Sequence, residues 1–271
     1  MSNSVENAPL VELIAEVRWE PGFQQSVPSG APVGMAPSFL MPGPELEEFF
    51  MRFGGSMIAA GYSETERLVP GNFPLMLYQP VYRFKTKEEH STKSLYQTGP
   101  GLFSANAVPP YESWDTFSPV VHKGLEILIA ARTSKEAALP FTATNLRYID
   151  AFGENLTGGR NVDDFVRDVL GIKIDLPTGV SQHLAAGSKP KPSVQFQIPM
   201  ANGVLLSLGI GEGMANGKTA IMMDTSVATT LPVEPSVAAV MKAFDDAHKA
   251  IDSTFRALIE PIKHLMPKKE S

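Results

Sequence analysis

Three side chains near the end of the sequence could together perform acid–base or nucleophilic chemistry. Asp224 and Ser226 lie two residues apart in a segment that alternates like a β-strand, and His248 follows within a helical pattern. A serine, a histidine and a carboxylate are the groups of a hydrolase triad. However, Ser226 lacks the G-x-S-x-G turn that exposes the nucleophile in many such enzymes. A triad is therefore disfavoured.

The spacing around His248 indicates that its ring faces the protein interior. It lies between Phe244 and Ile251 on the apolar stripe of the last helix, with Asp245 and Asp252 within helical reach. A buried histidine needs a hydrogen-bond partner, and a neighbouring carboxylate would favour its protonated form. We favour a structural role for His248 and leave a ligand-binding role open.

Two carboxylates and an arginine occupy strand segments that are otherwise apolar. Asp150 and Arg147 belong to one such segment, and Asp224 ends another. Desolvation can turn such carboxylates into general bases or ligand anchors, although more often they satisfy turns or helix ends. We retain Arg147, Asp150, Asp224 and His248 as candidate binding residues and predict no catalytic residue.

The glycine-rich segment Gly209–Thr219 resembles a phosphate-binding loop only superficially. Glu212 occupies a position where such a loop needs glycine, and a strand follows Lys218 and Thr219 where a helix is required. A hairpin turn is the better interpretation. The chain has no cysteine, and its histidines have no metal-like spacing, so we expect neither a metal nor another cofactor.

The composition favours a globular protein that binds neither nucleic acid nor membranes. The 271 residues are 43% hydrophobic, and the net charge is -6. An acidic balance disfavours tracking of phosphates. A run of about 18 apolar residues is missing from the sequence, and Met1–Pro9 does not resemble a signal peptide. We therefore expect a cytoplasmic location.

The secondary-structure pattern is repeated once along the chain. The first half predicts a strand, a helix, three strands and a helix, at Val11–Glu20, Pro44–Gly61, Leu75–Thr86, Lys93–Gln97, Leu102–Val108 and Trp114–Arg132. The second half predicts the same order at Leu146–Phe152, Asn161–Gly171, Val194–Pro199, Val204–Ile210, Thr219–Val227 and Val237–Ile259.

This order predicts an α+β fold built from two tandem β-α-β-β-β-α repeats, residues 1–136 and 137–271. Each repeat is expected to form a four-stranded antiparallel sheet with two helices on one face. A pseudo-two-fold axis would relate the repeats within one compact unit. Either their sheet edges join or their helical faces pack together.

A proline-rich loop at residues 21–44 interrupts the first repeat. Six prolines exclude a continuous helix or a central strand there. Its apolar side chains must either fold back onto the body of the protein or contact a partner, and both alternatives stay open. The candidate contact residues in this loop are Phe23, Met35, Phe39, Leu40 and Met41.

Several motifs resemble those of an uncharacterised, sporadically distributed family of bacterial proteins. They are N-A-V-P-P-Y-E-S-W from Asn106, L-R-Y-I-D-A-F from Leu146, D-T-S-V from Asp224 and F-D-D-A-H-K-A-I-D-S-T-F from Phe244. The resemblance covers nearly the whole chain but assigns no catalytic residue. The family's patchy occurrence implies an accessory role, such as an antitoxin, immunity or phage-defence module. The long proline-rich loop departs from the family pattern.

These observations favour a non-enzymatic binding or regulatory protein that contacts another protein. The alternative is a small-molecule sensor with its ligand in a groove between the two repeats. Homo-oligomerisation is compatible with either function.

Overall fold

A computed structural model describes residues 7–22, 39–40, 43–71, 73–87, 94–109, 113–201 and 203–267. The strands are β1 (Leu10–Arg18), β2 (Phe39–Leu40), β3 (Glu64–Arg67), β4 (Leu75–Met76), β5 (Tyr82–Lys85), β6 (Ser94–Gly99), β7 (Leu102–Ala107), β8 (Ala143–Phe152), β9 (Val194–Met200), β10 (Val204–Ala215) and β11 (Lys218–Thr229). The helices are α1 (Pro44–Ala59), α2 (Trp114–Ala131), α3 (Glu154–Thr157), α4 (Val162–Asp168), α5 (Thr178–Ser181) and α6 (Val237–Ile259), and a 3-10 helix follows at Glu260–Leu265.

Nine strands form one antiparallel sheet in the order β3-β5-β6-β7-β1-β8-β11-β10-β9. Its centre is the pair β1 and β8, with Leu13 opposite Tyr148. On one side of this pair the sheet continues with β7, β6, β5 and β3. On the other side it continues with β11, β10 and β9. The two halves of the chain therefore join through their sheet edges, as one of the two predicted alternatives required. The α+β class is confirmed.

A layer of helices covers one face of this sheet. Helix α1 packs against α2, and α2 packs against α6. Beneath them, Leu13, Ala15 and Val17 alternate along β1 and are completely buried. This period of two is expected for a strand with one face in the core. On the opposite face of β1, Glu12, Ile14 and Glu16 are only partly buried.

The first half differs from prediction at the sheet edge. The segment Leu75–Thr86, predicted as one strand, is divided into β4 and β5, because Tyr78 adopts a left-handed conformation with φ of 63° between them. Strand β3 was not predicted. Its residues are all exposed, and Glu66 pairs with Arg83 at 3.1 Å. A short polar edge strand gives no hydrophobic period to detect.

Local signals at turns and helix starts are confirmed. The side chains of Ser113 and Asn161 accept hydrogen bonds from the first turns of α2 and α4. Asn216 and Gly217, with φ of 51° and 73°, form a two-residue turn between β10 and β11. The glycine-rich segment is therefore a hairpin.

Candidate functional site

Arg147 and Asp224 form an ion pair on the sheet face opposite the helices. Nε of Arg147 donates to Oδ1 of Asp224 over 2.8 Å, and Nη2 donates to the second carboxylate oxygen. This hydrogen-bonded carboxylate is the main reason that the pKa of Arg147 is raised. Each side chain is about 40% exposed. Because the charges satisfy each other, neither is free to act as an isolated ligand anchor.

Other polar side chains lie along the central strands near the ion pair, and the charges of Glu12 and Glu16 act on Arg147. Nδ2 of Asn106 donates to Glu12 over 2.8 Å, and the hydroxyl of Ser104 donates to Oδ1 of Asn106 over 2.8 Å. Nearby, Nε of Arg18 donates to Glu16 over 2.7 Å. The centre of this face therefore mixes both signs of charge and offers no basic stripe for a phosphate backbone.

Asp150 lies on the other face of the sheet, under the helices. It is paired with Met223 in the neighbouring strand and is only 4% exposed. Burial, with a smaller contribution from the charge of Asp224, raises the pKa of Asp150 to about 7. Thr225, on the same face of β11, is also buried, and its hydroxyl has no hydrogen-bond partner among the described residues. Asp150 is therefore protonated in mildly acidic solution.

His248 lies between α6, α2 and the sheet. Its Nδ1 is 2.9 Å from the hydroxyl of Tyr148, and its ring stacks on Trp114 with centroids 5.4 Å apart. Nε1 of Trp114 donates to Asp245 over 2.8 Å. Burial lowers the pKa of His248 and outweighs the nearby carboxylates, which include Asp252. The protonated form that the sequence suggested is therefore disfavoured.

The four polar candidate residues do not converge on one site. Arg147 and Asp224 lie on one face of the sheet, whereas Asp150 and His248 lie on the other, because β8 alternates its side chains between the two. Ser226 has the same strand parity as Asp224 and faces away from His248. The triad considered from the sequence is therefore not assembled.

Most of the candidate contact residues in the proline-rich loop lie outside the described residues. Phe23, Met35 and Met41 lie outside the described residues. For Phe39 and Leu40 only the backbone is described, which pairs with Met76 and Leu75. The loop's contact role stays a prediction.

The structure reveals an apolar surface that sequence reasoning missed. Phe196, Ile198 and Met200 alternate along the edge strand β9 and are 37%, 48% and 39% exposed. Their partners in β10 include the buried Leu208 and Leu206, so all of them face the helix side of the sheet. The alternation of apolar residues with glutamine in this segment predicted the strand correctly. It did not indicate that the apolar side chains of this strand would stay exposed.

A groove of about 590 Å³ lies between α6 and the sheet, and Met200 is the one of these three residues that lines it. Alanines form the helical wall, namely Ala239, Ala243, Ala247 and Ala250. Met200, Val204 and Val227 line the sheet side. At one end the backbone N–H of Thr144 donates to Oγ1 of Thr229 over 2.9 Å, so these polar groups are satisfied. We call this feature, together with exposed Phe196, Ile198 and Met200, the β9–α6 groove.

The rim of the β9–α6 groove is charged. Nζ of Lys242 donates to Asp246 over 2.6 Å, and Nζ of Lys249 donates to the same carboxylate over 3.4 Å. The hydrogen bond from Lys242 is the main reason that the pKa of Asp246 is lowered. Of these three residues Lys242 and Asp246 line the groove, and their opposite charges balance.

The described residues do not support a metal site or a membrane-spanning helix. Among these residues, no three His, Asp or Glu side chains are grouped so that they could hold a metal ion. None of the described helices has the length and apolar character needed to span a bilayer.

Comparison with known proteins gives no match, whether to a family model, to a curated protein or to a solved structure.

Proposed function

We propose that this protein is a non-enzymatic binding protein and that its partner, another protein, docks on the β9–α6 groove. The observation that supports this most strongly is the exposure of Phe196, Ile198 and Met200 along β9, together with the groove that Met200 and the alanines of α6 line. Contiguous apolar surface of this kind, bordered by charged residues, is typical of protein-interaction sites.

The polar residues support a binding function more than a catalytic one. An active site needs a nucleophile or base, a group that orients it and a place for the reacting atom, all within a few ångströms. Here Arg147 is paired with Asp224, and His248 is paired with Tyr148 on the opposite side of the sheet. Arg147, Asp224 and His248 therefore each have a structural partner.

We further propose that residues 1–136 and 137–271 are duplicated β-α-β-β-β-α units related by a pseudo-two-fold axis. The matching outward strand orders, β1-β7-β6-β5 and β8-β11-β10-β9, support this proposal. The family motifs support a bacterial accessory role of the antitoxin, immunity or defence kind. The cytoplasmic location stays a prediction.

Affinity capture from native cells tests the binding function. The test variant is Ile198→Asp, and its matched control is Ile58→Asp on α1, where the isoleucine is similarly exposed at 53%. We expect a stoichiometric protein partner with the wild type and the control, and its loss with Ile198→Asp. The same partner list for all three proteins, or no stoichiometric partner for any, would contradict the proposal.

A small molecule is the second candidate occupant. The groove volume of about 590 Å³ lies within the range of about 300–1,000 Å³ that is usual for ligand cavities. Native mass spectrometry of freshly purified protein separates the two functions. A stoichiometric added mass that disappears in the Ala243→Glu variant would favour the small molecule.

A further inference from the structure

We propose that two copies of this chain associate edge to edge, with β9 of each copy pairing antiparallel across a two-fold axis that passes beside Phe196. The inference goes beyond the proposed function, because it uses the edge of the sheet and leaves the helix side of β9 accessible. It rests on the difference between the two sheet edges, the direction of the main-chain groups in β9 and the match of its side chains across the axis.

The two edges of the nine-stranded sheet differ in length and charge. Strand β3 has four residues, all exposed, of which Glu64, Glu66 and Arg67 are charged. Strand β9 has seven residues, Val194–Met200, and none of them is charged. Short, charged edge strands resist pairing with another chain, whereas longer uncharged ones favour it. Among the described residues β9 has one strand neighbour, β10, so its outer edge is free.

The turn between β10 and β11 shows which main-chain groups of β10 face β9. A two-residue turn at Asn216 and Gly217 makes Ala215 and Lys218 a hydrogen-bonded pair. Because the groups of successive residues alternate in direction, odd-numbered residues of β10 bond to β11 and even-numbered residues bond to β9. The pairing of β10 with both neighbours continues without a register shift.

The outward main-chain groups of β9 belong to its odd-numbered residues. Phe196 and Ile198 are opposite even-numbered residues of β10 and bond to them. The groups of Gln195, Gln197 and Pro199 therefore point away from the sheet. Pro199 agrees with this direction, because a proline in an edge strand turns its missing donor to the outside. The free edge thus offers both main-chain groups of the two glutamines and the C=O of Pro199.

A two-fold axis beside Phe196 allows two such edges to pair without using Pro199 as a donor. Gln195 of one copy then lies opposite Gln197 of the other, on both sides of the axis, and each pair can exchange two main-chain hydrogen bonds. Pro199 lies opposite Ser193, which precedes the strand, so the missing N–H falls outside the paired stretch. An axis beside Gln197 would instead place Pro199 opposite Gln195 and leave a C=O without its donor.

The same axis brings matching side chains together. Phe196 faces its own counterpart in a non-hydrogen-bonded pair, where side chains lie closest, and Ile198 faces Val194. Aromatic and β-branched pairs of this kind stabilise a sheet. On the other face Gln195 faces Gln197, and an amide can both donate to and accept from another amide. An axis beside Gln195 would leave Ile198 outside the paired stretch. The edge is therefore complementary to itself about Phe196, as an isologous dimer requires.

Sedimentation velocity of the purified full chain measures the association directly. We expect twice the mass of one chain at about 100 µM and dissociation on dilution, with a constant in the micromolar range. Phe196→Lys opposes two positive charges across the axis and should reduce the mass to that of one chain at the same concentration. Phe73→Lys is the control and should stay dimeric, since Phe73 is 57% exposed in the segment between β3 and β4.

Disulfide cross-linking tests the register, because the chain has no cysteine of its own. The thiol introduced by Phe196→Cys would face its counterpart at a Cα–Cα distance of about 4.5 Å, within the range of about 4.4–6.8 Å that a disulfide spans. The thiols of two Ile198→Cys chains would be about four residues apart along the strands, or about 14 Å, which is too far to bridge. Under mild oxidation with diamide, Phe196→Cys should therefore form a product of doubled mass at least tenfold faster than Ile198→Cys. A mixture of Ile198→Cys with Val194→Cys should also cross-link.

A mass of one chain at every concentration would overturn the inference, and so would equal cross-linking rates of Phe196→Cys and Ile198→Cys. Both measurements use the purified chain without any partner, so their result is independent of the affinity capture. The mass of Ile198→Asp is measured alongside, because this substitution also lies on β9. Loss of the dimer and loss of the partner are thereby distinguished.

Discussion

The buried environment of Asp150 opposes the charge of its carboxylate. Its pKa of about 7 in the folded protein compares with 3.8 for the unperturbed group. Between these two values the unfolded chain loses its proton while the folded protein keeps it. Stability therefore falls as the pH rises from about 4 to about 7, by up to about 1.4 kcal/mol per pH unit.

Replacement of Asp150 by asparagine should remove this pH dependence. We expect Asp150→Asn to be about 2–4 kcal/mol more stable than the wild type at pH 8, because the amide does not ionise, and nearly equal to it at pH 4. Urea unfolding at both pH values measures the difference. The exposed Asp175→Asn variant is the control and should match the wild type. The difference in unfolding free energy between Asp150→Asn and the wild type should be larger at pH 8 than at pH 4. An equal difference at both pH values would contradict the buried environment of Asp150.

The hydrogen bond between Tyr148 and His248 offers a second test at the residue scale. Tyr148→Phe leaves Nδ1 of the half-buried histidine without this partner, which should destabilise the protein by about 1–2 kcal/mol. Tyr78→Phe is the control, since its ring contact with Arg18 is retained. Thermal or chemical unfolding near pH 7.5 gives both values. Equal stability of the two variants would argue against the bond.

The lowered pKa of His248 also determines how the stability of the protein changes in acid. Burial lowers this pKa, so below about pH 6.5 the unfolded chain takes up a proton that the folded protein binds less readily. The contribution of His248 to stability is present above this pH and is lost as the pH falls towards the folded pKa. The helical period placed His248 correctly inside, but its stacking on Trp114 of a different helix could not be inferred from spacing along α6.

At the scale of elements, the contact between α2 and the sheet depends on one glycine. A Cβ atom at Gly124 would lie 2.5 Å from the ring of Tyr96 and 2.6 Å from that of Phe103. The helix therefore approaches the sheet more closely than any side chain at this position permits. From the sequence alone, glycine inside a helix indicates only a local cost in stability.

Gly124→Ala and Gly55→Ala should consequently have opposite effects. Alanine is the better helix former by about 0.8–1 kcal/mol, and at Gly55 nothing lies within 4 Å of the added atom, so this variant should be more stable by about that amount. At Gly124 the overlap should exceed the gain, giving a loss of about 1–3 kcal/mol. Denaturant unfolding tests the pair. Stabilisation by both substitutions would show that α2 does not approach the sheet as described.

Element types were largely predictable because most segments have a clear period and clear ends. The apolar stripe of α6 and the alternation in β1 fixed both elements to within a few residues. Prediction failed where tertiary context decides, at the polar edge strand β3 and at Tyr78, where a left-handed residue interrupts a strand-like segment. The conformation of Tyr78 has no signal in residue type.

At the scale of the whole molecule, the repeat order predicted an α+β fold but left open how the halves meet. The answer depends on which strands pair, and antiparallel pairing of β1 with β8 places both first strands at the centre. Prediction of the candidate site was limited in the same way. Sequence pattern found the strand of Phe196, Ile198 and Met200, whereas their exposure depends on which elements pack over β9 in the folded chain.

The central claim is that a protein partner covers the β9–α6 groove. Hydroxyl-radical footprinting of the full chain, alone and in complex with its captured partner, measures this coverage directly at individual side chains. Phe196 and Met200 should be protected in the complex, while Met51 and Met214, each 70% exposed, should react equally in both states. Protection at Met51 or Met214 with Phe196 and Met200 still reactive would contradict the claim.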